Sequence, residues 1–389
     1  MDPRIAVIGA GPAGLALALH ASRTLARAQL TLFDARPAER DVAADPRTLA
    51  LALGSVQWLQ RLGGWPNSGT APILGVHVSQ VPPSFGNASV LIRAEDARVP
   101  MLGAVLSYGA LVAPMQAAWM AAAAAAPGRL ETRFGTPVAA LKAVPGGVEV
   151  DAGIAETFDL AVVAEGGVFA DQARKAVTHD YGQTAWVGTV TLEGNTPGLA
   201  FERFTRQGPA ALLPLPDGAD GTHRAALVWC VDSSADPVRD LDDAQRLAVL
   251  NTVFPAEAGR LLTLSPLKAF ALGLNAERTL VEGRIVRIGN AAQTLHPVAG
   301  QGLNLGLRDA HQIVEALRFQ TDLDAALRRV EWARAPDRWS MIAATDFLAR
   351  SFTWRLPGAA TLRGAGLAAL QHFAPGKALL AQRMMFGGR

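Results

Sequence analysis

Six residues near the N-terminus, Gly9-Ala10-Gly11-Pro12-Ala13-Gly14, have the types and spacing to bring a pyrophosphate against bare backbone. Gly9 permits a tight turn, Gly11 removes a side chain that would obstruct the phosphates, and Gly14 lets a helix pack on a strand. Pro12 and Ala13 open that helix, whose first N–H groups favour an anion. Asp34 lies twenty residues beyond Gly14 at the end of a second strand and is the expected acceptor for ribose hydroxyls. The set predicts dinucleotide binding without distinguishing FAD from NAD. In a second motif, Asp45-Pro46-Arg47-Thr48, Arg47 follows a turn and precedes a segment read as helical. Its guanidinium could reach a phosphate or the adenosine side of a cofactor, or be a surface Arg at a helix start.

A third motif runs from Gly289-Asn290 through His296-Pro297 to Gly300-Gln301-Gly302-Leu303-Asn304. It follows an apolar strand and precedes a helix, where ligands bind in α/β sheets. Backbone N–H groups opening that helix could bond the pyrimidine edge of a flavin, which carries negative charge when reduced. An NAD-only dehydrogenase has no need of this second glycine turn. His296 suits a general base, or holding the turn beside Pro297. Asp309 reads as a structural acceptor.

These residues need particular elements under them. Arg4–Ile8, a helix from Ala13 and Gln29–Phe33 form a βαβ unit. Apolar runs at 158–164 and 284–288 are expected beside it in one sheet. Residues 183–229 alternate between Pro/Gly turns, as antiparallel strands do, and 75–93 could join them. The expected fold is α/β: a discontinuous Rossmann-like FAD-binding domain (1–74, 94–182, 267–345), a mostly antiparallel substrate domain (75–93, 183–266) and a helical C-terminal segment (346–389).

Composition excludes several classes. Of 389 residues, 50% are hydrophobic and 18% charged, as in a globular chain. A net charge of +2, with no basic block interleaved with aromatics, argues against nucleic acid. One cysteine, Cys230, makes neither a disulfide nor a Cys-rich site and reads as a buried core thiol; no metal spacing is present. The Ala-rich stretch 108–127 reads as a packed helix rather than a membrane span. With no signal peptide visible, the expected location is cytoplasmic.

Together the three motifs resemble the flavoprotein hydroxylases of the para-hydroxybenzoate hydroxylase fold. The run Gly289-Asn290-Ala291-Ala292-Gln293-Thr294-Leu295-His296-Pro297, with Ala200-Phe201-Glu202-Arg203-Phe204-Thr205 and Leu212-Leu213-Pro214-Leu215, is similar to the ubiquinone-pathway branch acting on 2-polyprenyl-6-methoxyphenol. The resemblance implies FAD as cofactor and NAD(P)H as co-substrate. It also implies O2 insertion into the ring of a prenylated phenol through a flavin C4a-hydroperoxide. It implies cofactor contacts at the residues of the three motifs. The family's Gly-Asp is Gly289-Asn290 here. Its Ala-Asp-Gly loop, which serves both cofactors, is Ala164-Glu165-Gly166, with the carboxylate one methylene further out. Rival readings are an FAD- or NAD-linked dehydrogenase or reductase without oxygen insertion, and a non-catalytic flavin-binding scaffold. After Asp346 the chain mixes apolar and only basic residues. That pattern reads either as a peripheral face toward the inner side of an anionic membrane or a partner protein, or as helices that simply cover the FAD and substrate domains; the resemblance adds a ubiquinone-biosynthesis complex as a candidate partner.

Overall fold

Ile5, Ala6, Val7 and Ile8 are at most 1% exposed, so this short apolar run lies between two layers. In the computed structural model, which describes residues 3–81, 89–165, 175–320, 322–351 and 358–388, it is a central strand. Arg4–Ile8 pairs in parallel with Gln29–Asp34 on one side and Leu160–Val163 on the other; Ile285–Arg287 extends the sheet in parallel beyond Leu160–Val163. Segments more than a hundred residues apart thus lie side by side.

Among the described residues are eight α-helices: α1 (Pro12–Thr24), α2 (Leu53–Arg61), α3 (Tyr108–Ala125), α4 (Asp243–Val253), α5 (Gln301–Phe319), α6 (Leu323–Ser351), α7 (Ala359–His372) and α8 (Ala374–Phe386). Ile5 and Val7 point into the layer formed by α1, α3 and α5. Ala6 and Ile8 point the other way, onto a small sheet holding Val148, Val150 and Phe158. The Ala-rich stretch is α3, whose Leu111, Val112, Met115 and Trp119 are fully buried. No helix among the described residues is long and apolar enough to cross a membrane.

The second layer is a nine-stranded sheet. Its path runs Gln293–Thr294, Lys268–Glu277, Lys175–Glu193, His223–Asp232, Pro209–Leu215, Leu199–Phe204, Gly75–Gln80 and Ser89–Arg93, with Arg260–Leu264 also pairing Lys175–Glu193. All pairs are antiparallel except Leu199–Phe204 with Gly75–Gln80. Segments 175–182 and 268–277, expected in the cofactor domain, are strands of this sheet. Lys175–Glu193 runs through residue 182, with a register shift between Asp180 and Gln183, and pairs with Lys268–Glu277 on both sides of it.

A second difference concerns Arg47. It precedes a strand, Thr48–Ala52, and the helix begins only at Leu53. The alternating Thr48-Leu49-Ala50-Leu51-Ala52 satisfies its backbone by pairing with Gly103–Ser107.

Candidate active site

Four turns meet along one edge of the parallel sheet, at the C-terminal ends of neighbouring strands. The ladders run directly into them: Gly9 N–H donates to Phe33 O (2.8 Å), Ala164 N–H to Ile8 O (2.8 Å) and Ile288 N–H to Val163 O (2.9 Å). Gly9, Asp34, Glu165 and Gly289 therefore share one crevice. Gly9 has φ +102°, which a residue with a side chain rarely adopts. A methyl at Gly14 would stand 1.9 Å from Gly9 O, so the helix can pack this closely only through glycine. Gly11 differs: at φ −79°, ψ −177° its backbone suits any residue, and a methyl there would meet only Tyr108 Oη at 3.5 Å. Neither backbone nor packing demands glycine at 11; the bare space faces the crevice. No side chain caps α1, whose first turn carries no acid, so its leading N–H groups stay open to an anion.

Asp34 is buried and tightly held. Its carboxylate accepts from Ala10 N–H (2.6 Å), Arg36 N–H (2.8 Å), Arg36 Nε (2.9 Å) and Arg36 NH2 (2.9 Å). Burial alone would raise its pKa, but these bonds outweigh it and hold the carboxyl below its ordinary value. Arg36 is thus the partner that a ribose hydroxyl would share or displace. Across the crevice, Glu165 is raised by burial and by the Asp34 charge, with Arg36 opposing. Gly166 to Arg174, the rest of the sequence motif around Glu165, lie outside the described residues. Arg47 is held by Asp45 (NH2 to Oδ2, 2.7 Å) and lies 4.1 Å over the Tyr108 ring. Tyr108 places both beside Gly11.

The late motif crosses from one sheet to the other. A methyl on Gly289 would sit 3.7 Å from Ala13 Cβ, and one on Gly306 would stand 2.7 Å from Gly289 Cα, so this turn closes against the start of α1. Asn290 is exposed. Gly300, at φ +58°, reverses the chain into α5, whose N-terminus also lacks a side-chain cap. A methyl on Gly302 would touch nothing within 4 Å. Asn304 is occupied within the protein. Its Oδ1 accepts from Ala52 N–H and Ser55 Oγ (both 2.8 Å), and its Nδ2 donates to Gly300 O (3.0 Å) and Ala50 O (3.2 Å). Any contact it makes with a ligand is through backbone. Leu303 packs partly buried on the main core.

Beneath the turn lies a buried ionic network. Arg334 Nε donates to Asp309 Oδ1 (2.7 Å), and its NH1 pairs with Asp337 Oδ2 (2.8 Å). Arg308 bridges Asp337 to Gln301 Oε1 (3.1 Å). Gly388 N–H donates to Asp337 Oδ1 (2.8 Å), which ties the end of the chain to the same point. Arg338, 1% exposed, donates to Gln293 Oε1 (2.7 Å).

A cavity of about 310 Å³ begins at Pro297, Gly300 and Asn304. Its floor is one face of the large sheet, including Val78, Phe204, Ala211 and Val228; its roof is α7 and α8, through Leu367, Leu370, Leu380 and Met384. Nearly all of the lining is apolar. Its one acid among the described residues is Glu202, in mid-strand between Val78 and Ala211. Burial pushes this carboxyl up to about 8. Burial, then the nearby Glu202, push the Cys230 thiol far up, so it stays protonated.

The FAD binding domain family matches residues 114–321, more than half of the chain. The chain belongs to the FAD-binding domain family. Among relatives of this FAD-binding protein, Ubiquinone hydroxylase UbiL of Rhodospirillum rubrum is 36% identical over 215 residues, which are 54% of this chain and 49% of that protein. The match thus spans about half the length of that relative. The 3-demethoxyubiquinol 3-hydroxylase of Escherichia coli is 28% identical over 402 residues, covering 94% of each chain. Klebsiella pneumoniae HpxO, solved with FAD and uric acid, shares the fold with a TM-score of 0.73 at 17% identity, covering 99% of this chain and 97% of that one. The p-nitrophenol 4-monooxygenase PnpA of Pseudomonas putida gives 0.71 at 12% identity, covering 100% and 99%.

Sequence reasoning about this FAD-binding protein missed Arg36, Tyr108 and the placement of Glu202. For Glu202 a signal existed: Ala200, Glu202 and Phe204 share one strand face, with a lone acid between two apolar residues. It left His296 between two roles. The ring is 2% exposed, Nε2–H donates to Gln183 Oε1 (2.9 Å) and Nδ1 accepts from Val298 N–H (3.2 Å). Both nitrogens hold the turn, and burial lowers the pKa to about 4. Its folded value lies below the unfolded 6.5, so its stabilising effect is complete above pH 6.5 and is lost as pH falls toward 4. In thermal unfolding, His296→Asn is expected to show a smaller loss of midpoint than wild type across that window. Parallel curves would mean His296 does not titrate there.

Proposed function

We propose that this FAD-binding protein hydroxylates the aromatic ring of a polyprenylated phenol, using NAD(P)H and O2. The observation that carries the reading is the apolar cavity opening at the Gly300–Asn304 turn and running under α7 and α8. It suits a greasy ring with a tail. The relatives' names, a ubiquinone hydroxylase and a 3-demethoxyubiquinol 3-hydroxylase, support the same class. Gly9–Gly14 and α1 would hold the pyrophosphate, with Asp34 and Arg47 on the adenosine side. Glu165, Asn290 and the backbone of Gly300–Asn304 would meet the flavin end. The open spaces at Gly11 and Gly302 and the uncapped α1 and α5 fit such a group. When bound, FAD supplies the redox and oxygen chemistry; the chain orients the ring and keeps water from it.

The test is FAD-loaded protein with NADH or NADPH, a geranylated 2-methoxyphenol and isotopically labelled O2. One labelled oxygen is expected in the ring. Oxidised product without label would point to a dehydrogenase, and no NAD(P)H-dependent flavin reduction to a scaffold.

The tail reading extends to a membrane surface at the inner face. Phe347 (58% exposed), Leu362 (76%), Phe373 (60%) and Leu379 (56%) stand outside the helices whose inner faces line the cavity. Arg350, Arg363, Lys377 and Arg383 accompany them, with no acid after Asp346. Phe352, Trp354, Arg355 and Leu356 of this segment lie outside the described residues. Removing the whole segment would also remove a cavity wall, so point changes are the sharper test. Leu362→Asp with Leu379→Asp is expected to weaken sedimentation with anionic vesicles and to slow turnover of long-tailed substrate, sparing a short-tailed one. Equal losses on both substrates would sink the membrane role.

A further inference from the structure

Among the described residues few polar groups line the cavity, and most are already engaged. Asn304 holds both strand and turn through four hydrogen bonds, and Gln301 accepts from Arg308. Cys230 keeps its proton. Glu202 stands apart: it has no hydrogen-bond or ion-pair partner among the described residues and is only partly covered, its side chain lining the cavity. A carboxylate in an apolar setting is costly to keep, and a sheet face gains nothing structural from one without a partner.

Among the described residues its surroundings are otherwise uncharged. On the flanking strands its register partners are Val78 and Ala211. Arg203 and His77 belong to the opposite face, where Arg203 Nε donates to Val253 O and the His77 ring lies 5.6 Å from Phe201. The Glu202 carboxyl is raised by burial alone, and its charge in turn helps to keep the proton on the nearby Cys230 thiol. From above, α7 and α8 contribute Leu367, Leu370, Leu380 and Met384, and the Pro297–Asn304 turn contributes Gln301 and Asn304. The charged side chains of α7 and α8 lead elsewhere: Arg363 to Ser351 O, Lys377 to Leu91 O, and Arg383 is exposed. His296 is taken up by Gln183 and Val298.

Resting on the hydroxylase reading, we infer that Glu202 is the catalytic residue that binds the substrate's phenolic hydroxyl and takes its proton. The phenol O–H bond breaks, an O–H bond forms on a Glu202 carboxylate oxygen, and the electron pair stays on the phenol oxygen. The ring becomes more electron-rich while the net charge of the pair is unchanged, so a dry cavity tolerates the step. Such positioned bases contribute roughly 10²–10⁴-fold.

The experiment uses FAD-loaded wild type, Glu202→Gln and Glu202→Asp, with a geranylated 2-methoxyphenol as probe. Ultraviolet difference spectra report binding and hydrogen bonding of the phenol, and steady-state turnover is followed from pH 6 to 9. Wild type is expected to bind the phenol with its O–H hydrogen-bonded to the carboxylate, the proton passing over as the ring reacts. Its turnover should rise with pH through a midpoint near 8. Glu202→Gln should still bind the probe, with kcat lower by about 100-fold, KM nearly unchanged and no such rise. Glu202→Asp should restore part of both signals.

An independent readout checks the group itself. Its folded pKa of about 8 lies above the unfolded 4.5, so stability is highest below 4.5 and is lost as pH rises toward 8. Glu202→Gln should abolish that part of the fall in unfolding midpoint. Wild-type turnover and pH profile in Glu202→Gln would overturn the assignment while leaving the hydroxylase reading intact. Failure of wild type to bind the phenol would overturn both.

Discussion

Gly11→Val is expected to lower FAD affinity by at least 100-fold while the apoprotein still folds. The contrast with Gly14 makes this a test of ligand placement. A methyl at Gly14 would collide with Gly9 O at 1.9 Å, so Gly14→Ala damages the contact between helix and strand. A side chain at Gly11 meets only the edge of Tyr108, and its backbone dihedrals suit a β-branched residue. Losing glycine at the N-cap costs on the order of 1 kcal/mol, too little to unfold the domain. The isopropyl group would instead fill the space before the open N–H groups of α1. Flavin content after FAD titration, with circular dichroism on the same sample, decides the matter. Full flavin occupancy in a folded variant would remove the pyrophosphate from this turn.

The largest expected effect on stability is at Arg334. Its guanidinium lies between Asp309 and Asp337, with side chains 8%, 0% and 6% exposed. Removing one partner from such a group leaves buried charge uncompensated, at a cost of about 3–5 kcal/mol. Arg334→Met should therefore lower the unfolding midpoint by on the order of 10 °C, taking about 2–4 °C per kcal/mol. The double variant Arg334→Met with Asp309→Leu should recover part of the loss, because two well-packed apolar side chains leave no charge stranded. A single variant within about 1 kcal/mol of wild type would show that the network is energetically idle. The network also reaches Gln301 through Arg308, so flavin retention should weaken alongside stability.

Local demands on the backbone were legible in the sequence. Gly9 and Gly300 mark turns with positive φ, and the apolar runs at 4–8, 158–164 and 284–288 read as strands, which the structure forms at Arg4–Ile8, Leu160–Val163 and Ile285–Arg287. The two glycine turns, each after a strand and before a helix, close against each other in the structure, Gly289 beside the start of α1. Some local signals were ambiguous. Thr48–Ala52 alternates too briefly to separate strand from helix until Gly103–Ser107 supplies the pairing. Likewise, nothing in residues 175–182 or 268–277 says which sheet they enter; their pairing with each other decides it.

Other properties belong to the tertiary structure alone. Asn304 lies 252 residues from the Ala52 N–H it accepts from, and Arg338 lies 61 from the Glu277 carbonyl it donates to. Asp34 read as a free acceptor until Arg36 folded back on it. Glu202 was one acid in a strand until α7 and α8 closed over its face and enclosed it in an apolar cavity, with no partner among the described residues. Sequence determines backbone geometry and face alternation, because those act between near neighbours. Which polar group is satisfied and which is left able to react depends on what distant segments bring to it.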